Sequence, residues 1–406
     1  MPTPADVLRQ ARREARRISS VQSRAAAYAE LALRAEAISP AAADDMWQLA
    51  RECAINVDDP VAQLRTRCSV ARRLARSPRK EDAALYAQAI FKAALGLPIA
   101  SHRAVILAEV QPILAELKLP QAAEAFARAV EAGGKVPEPL VRAGVLADLA
   151  LLAAASDPKQ ARTVAQRAEQ AWRLAEKGVE RDLAATGLVK AWALLDWDHA
   201  LAVAGELSDT QAKAQALQAA AEELARTNLD QALMAVRSIS SPELRALALA
   251  AVACQAAQDR GDLAGIMARE ALRQVQAAGG ALGDLVRAKA AVALAASSPE
   301  QARQVLAKVG DEIVRARATA EVAKIVAETD AEAAAALLEA CDHPELIETA
   351  WTEVARQAAK KDATLAVKLG RRPLDRFLRV KALLAVYDVL AEQTTPAEEP
   401  AKGDKN

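Results

Sequence analysis

The strongest order in the chain is a helical stripe that returns along its length. Counted from a basic residue, small or apolar side chains fall at +4, +7, +8 and +11, as Leu146, Leu149, Ala150 and Ala153 do after Arg142. Leu217, Ala220, Ala221 and Leu224 follow Lys213 in the same register, and Leu249, Val252, Ala253 and Ala256 follow Arg245. This spacing lines up one apolar face of an α-helix. A second, shorter helical pattern stands before each stripe. Around Ala302, for example, Gln304, Val305 and Leu306 continue a first helix, Gly310 and Asp311 break it, and Arg315 opens the second.

The first helix carries its own marker, an alanine at Ala83, Ala122, Ala161, Ala200, Ala232, Ala264, Ala302, Ala334 and Ala366, with spacings of 39, 39, 39, 32, 32, 38, 32 and 32. Self-similarity at such a period marks a repeat array whose units bury their apolar faces only by stacking. In the long units the basic residue lies 20 positions after the alanine (Arg103, Arg142, Arg181), and in the short ones 13 (Lys213, Arg245, Arg315, Arg379). The extra seven residues are about two helical turns, which preserves the packing face and places the insertion in a longer first helix. In the unit from Ala264 the extra length includes Gly279 and Gly280 and reads as partly loop.

The predicted fold is therefore all-α, an α-solenoid: a right-handed superhelix of about eleven antiparallel helical hairpins in two layers. It occupies residues 1–393, with repeats of ~39 residues to about 199 and mostly 32-residue repeats after that. Residues 394–406, rich in Pro, Glu, Lys and Gly, read as a disordered tail. Asp157-Pro158, Ser298-Pro299, Ser39-Pro40, Ser77-Pro78 and Ser241-Pro242 each place a capping side chain before a proline suited to a first helical turn.

Composition agrees, with 52% hydrophobic residues but only 3% aromatic, so alanine supplies the bulk of the stripes and lets helices approach closely. The 53 basic and 53 acidic residues balance, although residues 1–80 hold 15 against 9. Cys53, Cys68, Cys254 and Cys341 show no pairing pattern and read as small core residues. The arginine-rich start has no apolar leader, and no run reaches the ~18 apolar residues of a membrane span, so a cytoplasmic protein without membrane insertion is expected.

At the start of the second helix a basic column runs through Arg24, Arg103, Arg142, Arg181, Lys213, Arg245, Arg315 and Arg379, with Leu64, Gly283 and Ile347 as exceptions. A cation in a first turn opposes the helix dipole, so another interaction must favour it. Acidic or capping residues stand four positions earlier at Glu138, Asp209, Ser241, Asp311 and Asp375. Two readings follow: a structural inter-repeat ladder (Arg142, Arg181, Arg245, Arg315, Arg379), which is preferred, or a cationic stripe for an acidic ligand.

The segments Asp311-Glu-Ile-Val-Arg315, Ser241-Pro-Glu-Leu-Arg245 and Pro139-Leu-Val-Arg142 resemble the Asp-Pro-x-Val-Arg element of HEAT-like repeats, and Pro299-Glu-Gln-Ala-Arg-Gln-Val-Leu306 is similar to that family's other helix. The tetratricopeptide repeat is the competing resemblance, but its Trp, Leu-Gly and Tyr positions do not recur. Either resemblance implies a two-layer helical solenoid offering an extended concave surface to macromolecules.

Chemistry is sparse. His102, His199 and His343 lie far apart, and Gly134-Lys135 lacks both the first glycine and the hydroxyl of a phosphate loop. No catalytic, cofactor-binding or metal-binding residues are assigned, and no cofactor is called for. Candidate partner-binding residues are the basic face Arg65, Arg72, Arg76 and Arg79, and the tryptophans Trp172 and Trp197. The basic face reads first as a solvated face and alternatively as a site for an anionic partner. The tryptophans are candidates because Trp is enriched among interface hot spots, with core packing as their other reading. The leading expectation is a non-enzymatic scaffold that binds a protein or peptide. Nucleic acid or another polyanion on the basic N-terminal repeats is the alternative, and a HEAT-like enzyme a weaker one. The Arg-rich first helix reads as a polar cap, whereas Leu383, Leu384, Val386, Tyr387, Val389 and Leu390 suggest end-on self-association through the C-terminus.

Overall fold

A computed structural model describes residues 1–257, 259–275 and 280–394. Among these residues it is all-helical and contains no strand. Helices of successive repeats pair as hairpins: α1 (Pro4–Ala15) with α2 (Val21–Ala35) and α5 (Lys80–Leu95) with α6 (Ala100–Glu116), with α3 (Pro40–Ile55) and α4 (Pro60–Arg76) between them in the chain. Next come α7 (Gln121–Gly134) with α8 (Pro139–Ala154), α9 (Pro158–Arg173) with α10 (Val179–Leu195), and α11 (Trp197–Gly205) with α12 (Thr210–Leu224). Then α13 (Leu229–Arg237) pairs with α14 (Pro242–Ala256) and α15 (Gly261–Gln274) with α16 (Gly280–Leu294), followed in the chain by α17 (Pro299–Leu306) and α18 (Glu312–Val326). Finally α19 (Ala331–Glu339) pairs with a second helix broken into α20 (Pro344–Ile347) and α21 (Ala350–Ala359), and α22 (Ala363–Gly370) with α23 (Arg376–Thr394). The described residues thus form an all-α repeat array of 23 helices. The tail expected over 394–406 lies outside the described residues apart from Thr394.

The difference between long and short repeats lies in the first helix. First helices α3, α5 and α9 have 16 residues and α7 has 14, whereas α11, α13 and α19 have 9 and α17 and α22 have 8. In the long unit from Ala264, α15 is itself 14 residues long, and Gly279 of the expected loop lies outside the described residues.

Eight of the nine marker alanines are fully buried, each four residues beyond its N-cap, where any larger side chain would meet the neighbouring helix. Ala122 is the exception and is only half-buried. There α6 runs on to Glu116, Lys118 turns the chain at a φ of +55°, and α7 starts from Pro120. The packing position shifts by one turn to Ala125, which is fully buried, so the working spacings are 42 and 36 rather than 39 and 39.

The basic column is structural, but it is not an inter-repeat ladder of Arg and Asp. Arg24, Arg103, Arg142, Arg245 and Arg315 each donate from Nη1 to the backbone carbonyl six residues earlier, on Ile18, Leu97, Val136, Ile239 and Val309, at 2.9 to 3.4 Å. Arg379 does the same to Pro373 at 2.8 Å. Those carbonyls lie just past the C-terminus of the first helix, on residues whose side chains are buried. The guanidinium therefore satisfies an orphan carbonyl at the negative end of the preceding helix dipole, which outweighs its unfavourable place in its own. The acidic residues four positions earlier cap the backbone instead: Asp209, Asp311 and Asp375 accept from the N–H groups of Ala212, Val314 and Leu378. Ser241 caps Leu244 likewise, while Ser77, expected to open α5, closes α4.

Links between repeats come from three buried carboxylates immediately after a column position. Asp182 accepts from the N–H groups of Ser208 and Asp209 at 2.9 Å and from the Ser208 hydroxyl at 2.7 Å. Asp284 and Glu348 accept from Asp311 and Asp375, each at 2.8 Å and each 27 residues on. Burial acts to raise the Asp182 pKa, but these hydrogen bonds outweigh it and leave the carboxyl below its ordinary value. The bond from Gly310, ahead of the opposing effect of burial, lowers that of Asp284.

The helices group into two compact units, residues 54–318 and a second that joins 1–53 to residues from 319 onward. In the latter, α1 and α2 pack on α23. Val7, Ala11 and Ala15 of α1 are buried, as are Leu383, Leu384, Val386, Tyr387, Val389 and Leu390. The first helix is thus no polar end cap: its apolar stripe covers the face expected to drive end-on self-association. Arg34 grips Asp388 at 2.8 and 3.0 Å, and Arg379 and Arg376 reach Glu14 at 3.1 and 3.5 Å. In the other unit, Cys68 is buried in α4, which pushes its thiol pKa up to about 12 and removes thiolate reactivity at neutral pH.

Candidate interaction surface on the second helices

Within residues 54–318 the second helices α4, α6 and α8 stand side by side, each core stripe turned inward. Their remaining face forms a groove of about 310 Å³ lined by Arg72, Ala104, Val105, Ala108, Glu109, Pro112, Val145, Asp148, Leu149 and Leu152. The walls are mainly aliphatic. Pro112 sits inside α6 and has no N–H to give the Ala108 carbonyl four residues back, and both residues line the groove. On α8, Val141, Val145, Asp148 and Leu152 follow at helical spacing, forming a second stripe beside the core one. Val141 and Leu152 are 48% and 39% exposed, high for aliphatic side chains on one face. The apolar surroundings raise the pKa of the Asp148 carboxyl, opposed in part by the charge of Lys190.

The basic face of α4 borders this groove. Arg65 pairs with Glu109 of α6 at 3.0 Å, Arg72 lines the groove, and Arg76 is exposed a turn beyond. Arg79 does not belong to that face: α4 ends at Arg76, and Arg79 is the half-buried N-cap of α5. Arg73 turns back to the Ser69 carbonyl at 2.9 Å, and Arg67 lies 5.4 Å from the Tyr86 ring. The basic patch is thus interleaved with carboxylate and aromatic partners. Similar pairs cross between second helices further along, from Lys190 to Glu223 at 3.4 Å and from Lys289 to Glu222 at 3.8 Å.

The tryptophans expected as partner anchors are internal. Trp172 is fully buried, donates to the Arg181 carbonyl at 2.8 Å, and lies under the Arg181 guanidinium at 4.1 Å. This stacking is why Arg181 departs from the common carbonyl bond. Trp197 is 7% exposed at the start of α11. Neither indole offers a surface to a partner, and neither lies with the α4 arginines.

A polar hollow lies between α9 and α11, lined by Arg162, Glu169, Arg173, Trp192, Asp196 and His199 among others. His199 Nε2 sits 2.8 Å from the buried Glu169 carboxylate, which also meets Arg173 at 2.8 Å, and its ring packs on Trp192 with centroids 4.2 Å apart. Glu169 is shared between His199 and Arg173, Arg173 also reaches Glu206 at 2.6 Å, and the residues lining the hollow include no hydroxyl or thiol nucleophile. Among the described residues no group of three or more His, Cys, Asp or Glu could hold a metal ion, and no helix is long and apolar enough to cross a membrane.

The groove residues Val145, Asp148 and Leu152 went unmarked in the sequence reading. Their signal was the 4, 3, 4 spacing from Val141, hidden because α8 is apolar nearly all round. No protein-family model and no curated protein matches the chain. It is similar in structure to Ton1535 from Thermococcus onnurineus NA1, at 15% identity and a TM-score of 0.36 over 86% of this chain and 98% of that one. A circular tandem repeat protein with novel repeat topology and enhanced subunit contact surfaces is also similar, at 16% identity and a TM-score of 0.19 over 96% and 87% of the two chains.

Proposed function

We propose that this chain is a non-enzymatic helical-repeat scaffold that binds a protein partner along its second helices. The carrying observation is the groove between α4, α6 and α8, where half-buried aliphatic side chains and the exposed Leu152 line a surface bordered by a few charges, the composition of a protein-recognition site. Charge pairs bridge the consecutive second helices α4 to α6 and α10 to α12, and a third spans from α16 to α12. The arginine at the start of most second helices supports a HEAT-like rather than a tetratricopeptide-like assignment of the repeat. Polyanion binding is the second reading, favoured by the exposed Arg72 and Arg76 and opposed by the pairing of Arg65 with Glu109. Affinity recovery from lysate with and without nuclease tests the choice. A stoichiometric protein partner retained after nuclease treatment supports the scaffold. Recovery that vanishes with nuclease, or affinity that falls steeply with salt, sinks it.

A further inference from the structure

The geometry points to one class of occupant for the α4, α6 and α8 groove: an apolar peptide segment of a partner protein carrying a lysine or arginine that meets Asp148. This rests on the scaffold reading above and specifies what its surface selects. Val145, Asp148 and Leu152 of the α8 stripe line the groove, so an occupant covers two aliphatic side chains and one carboxylate of that stripe together. Asp148 is exposed beside the aliphatic side chains of the groove, and Lys190, the cation whose charge acts on it, is itself 3.4 Å from Glu223. The neighbouring acidic group, Glu109, is satisfied by Arg65. An incoming cation therefore finds its counter-charge at Asp148. A carboxylate there would meet like charge in a partly desolvated site, which is a device for rejecting the wrong partner as much as for holding the right one.

The backbone adds to this preference. Pro112 withholds an N–H from the Ala108 carbonyl, so the α6 wall supplies acceptors and no donor at that turn, again favouring a donor-bearing occupant. Aliphatic side chains of the segment fill the space between Val105, Val145, Leu149 and Leu152, while Arg72 marks the acidic end of a segment whose basic residue lies toward Asp148.

Selection of a random-peptide display library on the full-length chain tests the proposal, with Asp148→Lys and Leu152→Glu variants checked for native helical content and melting behaviour. Wild-type protein is expected to enrich aliphatic sequences bearing Lys or Arg. Asp148→Lys is expected to reverse the charge preference to Asp or Glu, and Leu152→Glu to weaken the enriched peptides at least tenfold. Peptides that bind but ignore both substitutions overturn the groove assignment and leave the scaffold reading standing. Failure to enrich any peptide overturns both.

Discussion

At the scale of single residues, the arginine column shows how an apparent charge pattern can serve the backbone. Six of its guanidinium groups, all but that of Arg181, close the gap between two helices by bonding a carbonyl that neither helix can satisfy. Hydrogen bonds to charged groups contribute about 1.5–3 kcal/mol, so Arg245→Ala or Arg315→Ala is expected to cost roughly that much in denaturant unfolding. A change below a few tenths of a kcal/mol would contradict the assignment. The carboxylate of Asp182 follows a pH rule. Its folded pKa is depressed, so its contribution is full above the unfolded value, about 3.9, and is lost as pH falls through the folded value. Asp182→Asn is expected to lower stability at neutral pH and to flatten the fall in stability below about pH 4. An unchanged acid limb in pH-dependent melting would refute this. The column was legible in the sequence because it recurs. Its partner was not, since a backbone carbonyl six residues away has no residue type to announce it. The carboxylates at positions 182, 284 and 348 occur only three times and were lost among the other acidic residues.

At the scale of elements, alanine sets how closely first helices pack. Ala161 is fully buried where α9 meets its neighbours, so Ala161→Leu overpacks the contact and is expected to cost about 1–3 kcal/mol. The same change at half-buried Ala122 is expected to be near neutral, while Ala125→Leu repeats the Ala161 penalty. If Ala122→Leu proved as costly as Ala125→Leu, the one-turn shift in α7 would be wrong. Helix lengths were readable to within a residue or two, because a seven-residue insertion preserves helical phase and therefore the stripe. The shift in α7 was unreadable by spacing alone, because Ala122 and Ala125 are both alanines and the turn at Lys118 chooses between them.

At the scale of the molecule, sequence periodicity led to two free ends, and here long-range packing prevails: α1 covers α23 within one unit. Periodicity carries no signal for contacts between residues hundreds of positions apart, such as Arg34 with Asp388. Removal of residues 1–19 is expected to expose the apolar face of α23 and drive concentration-dependent association in analytical ultracentrifugation, where the full chain shows none through that face. A truncated chain that stays monomeric with unchanged stability would contradict the packing. The functional claim is more local, and amide hydrogen exchange on the full chain, with and without the protein partner recovered after nuclease treatment, tests it most directly. The account predicts that binding slows exchange in α6 and α8, around residues 104–112 and 141–152, and leaves the first helices α5, α7 and α9 unchanged. Protection confined to the first helices, or to the hollow around His199, would contradict it.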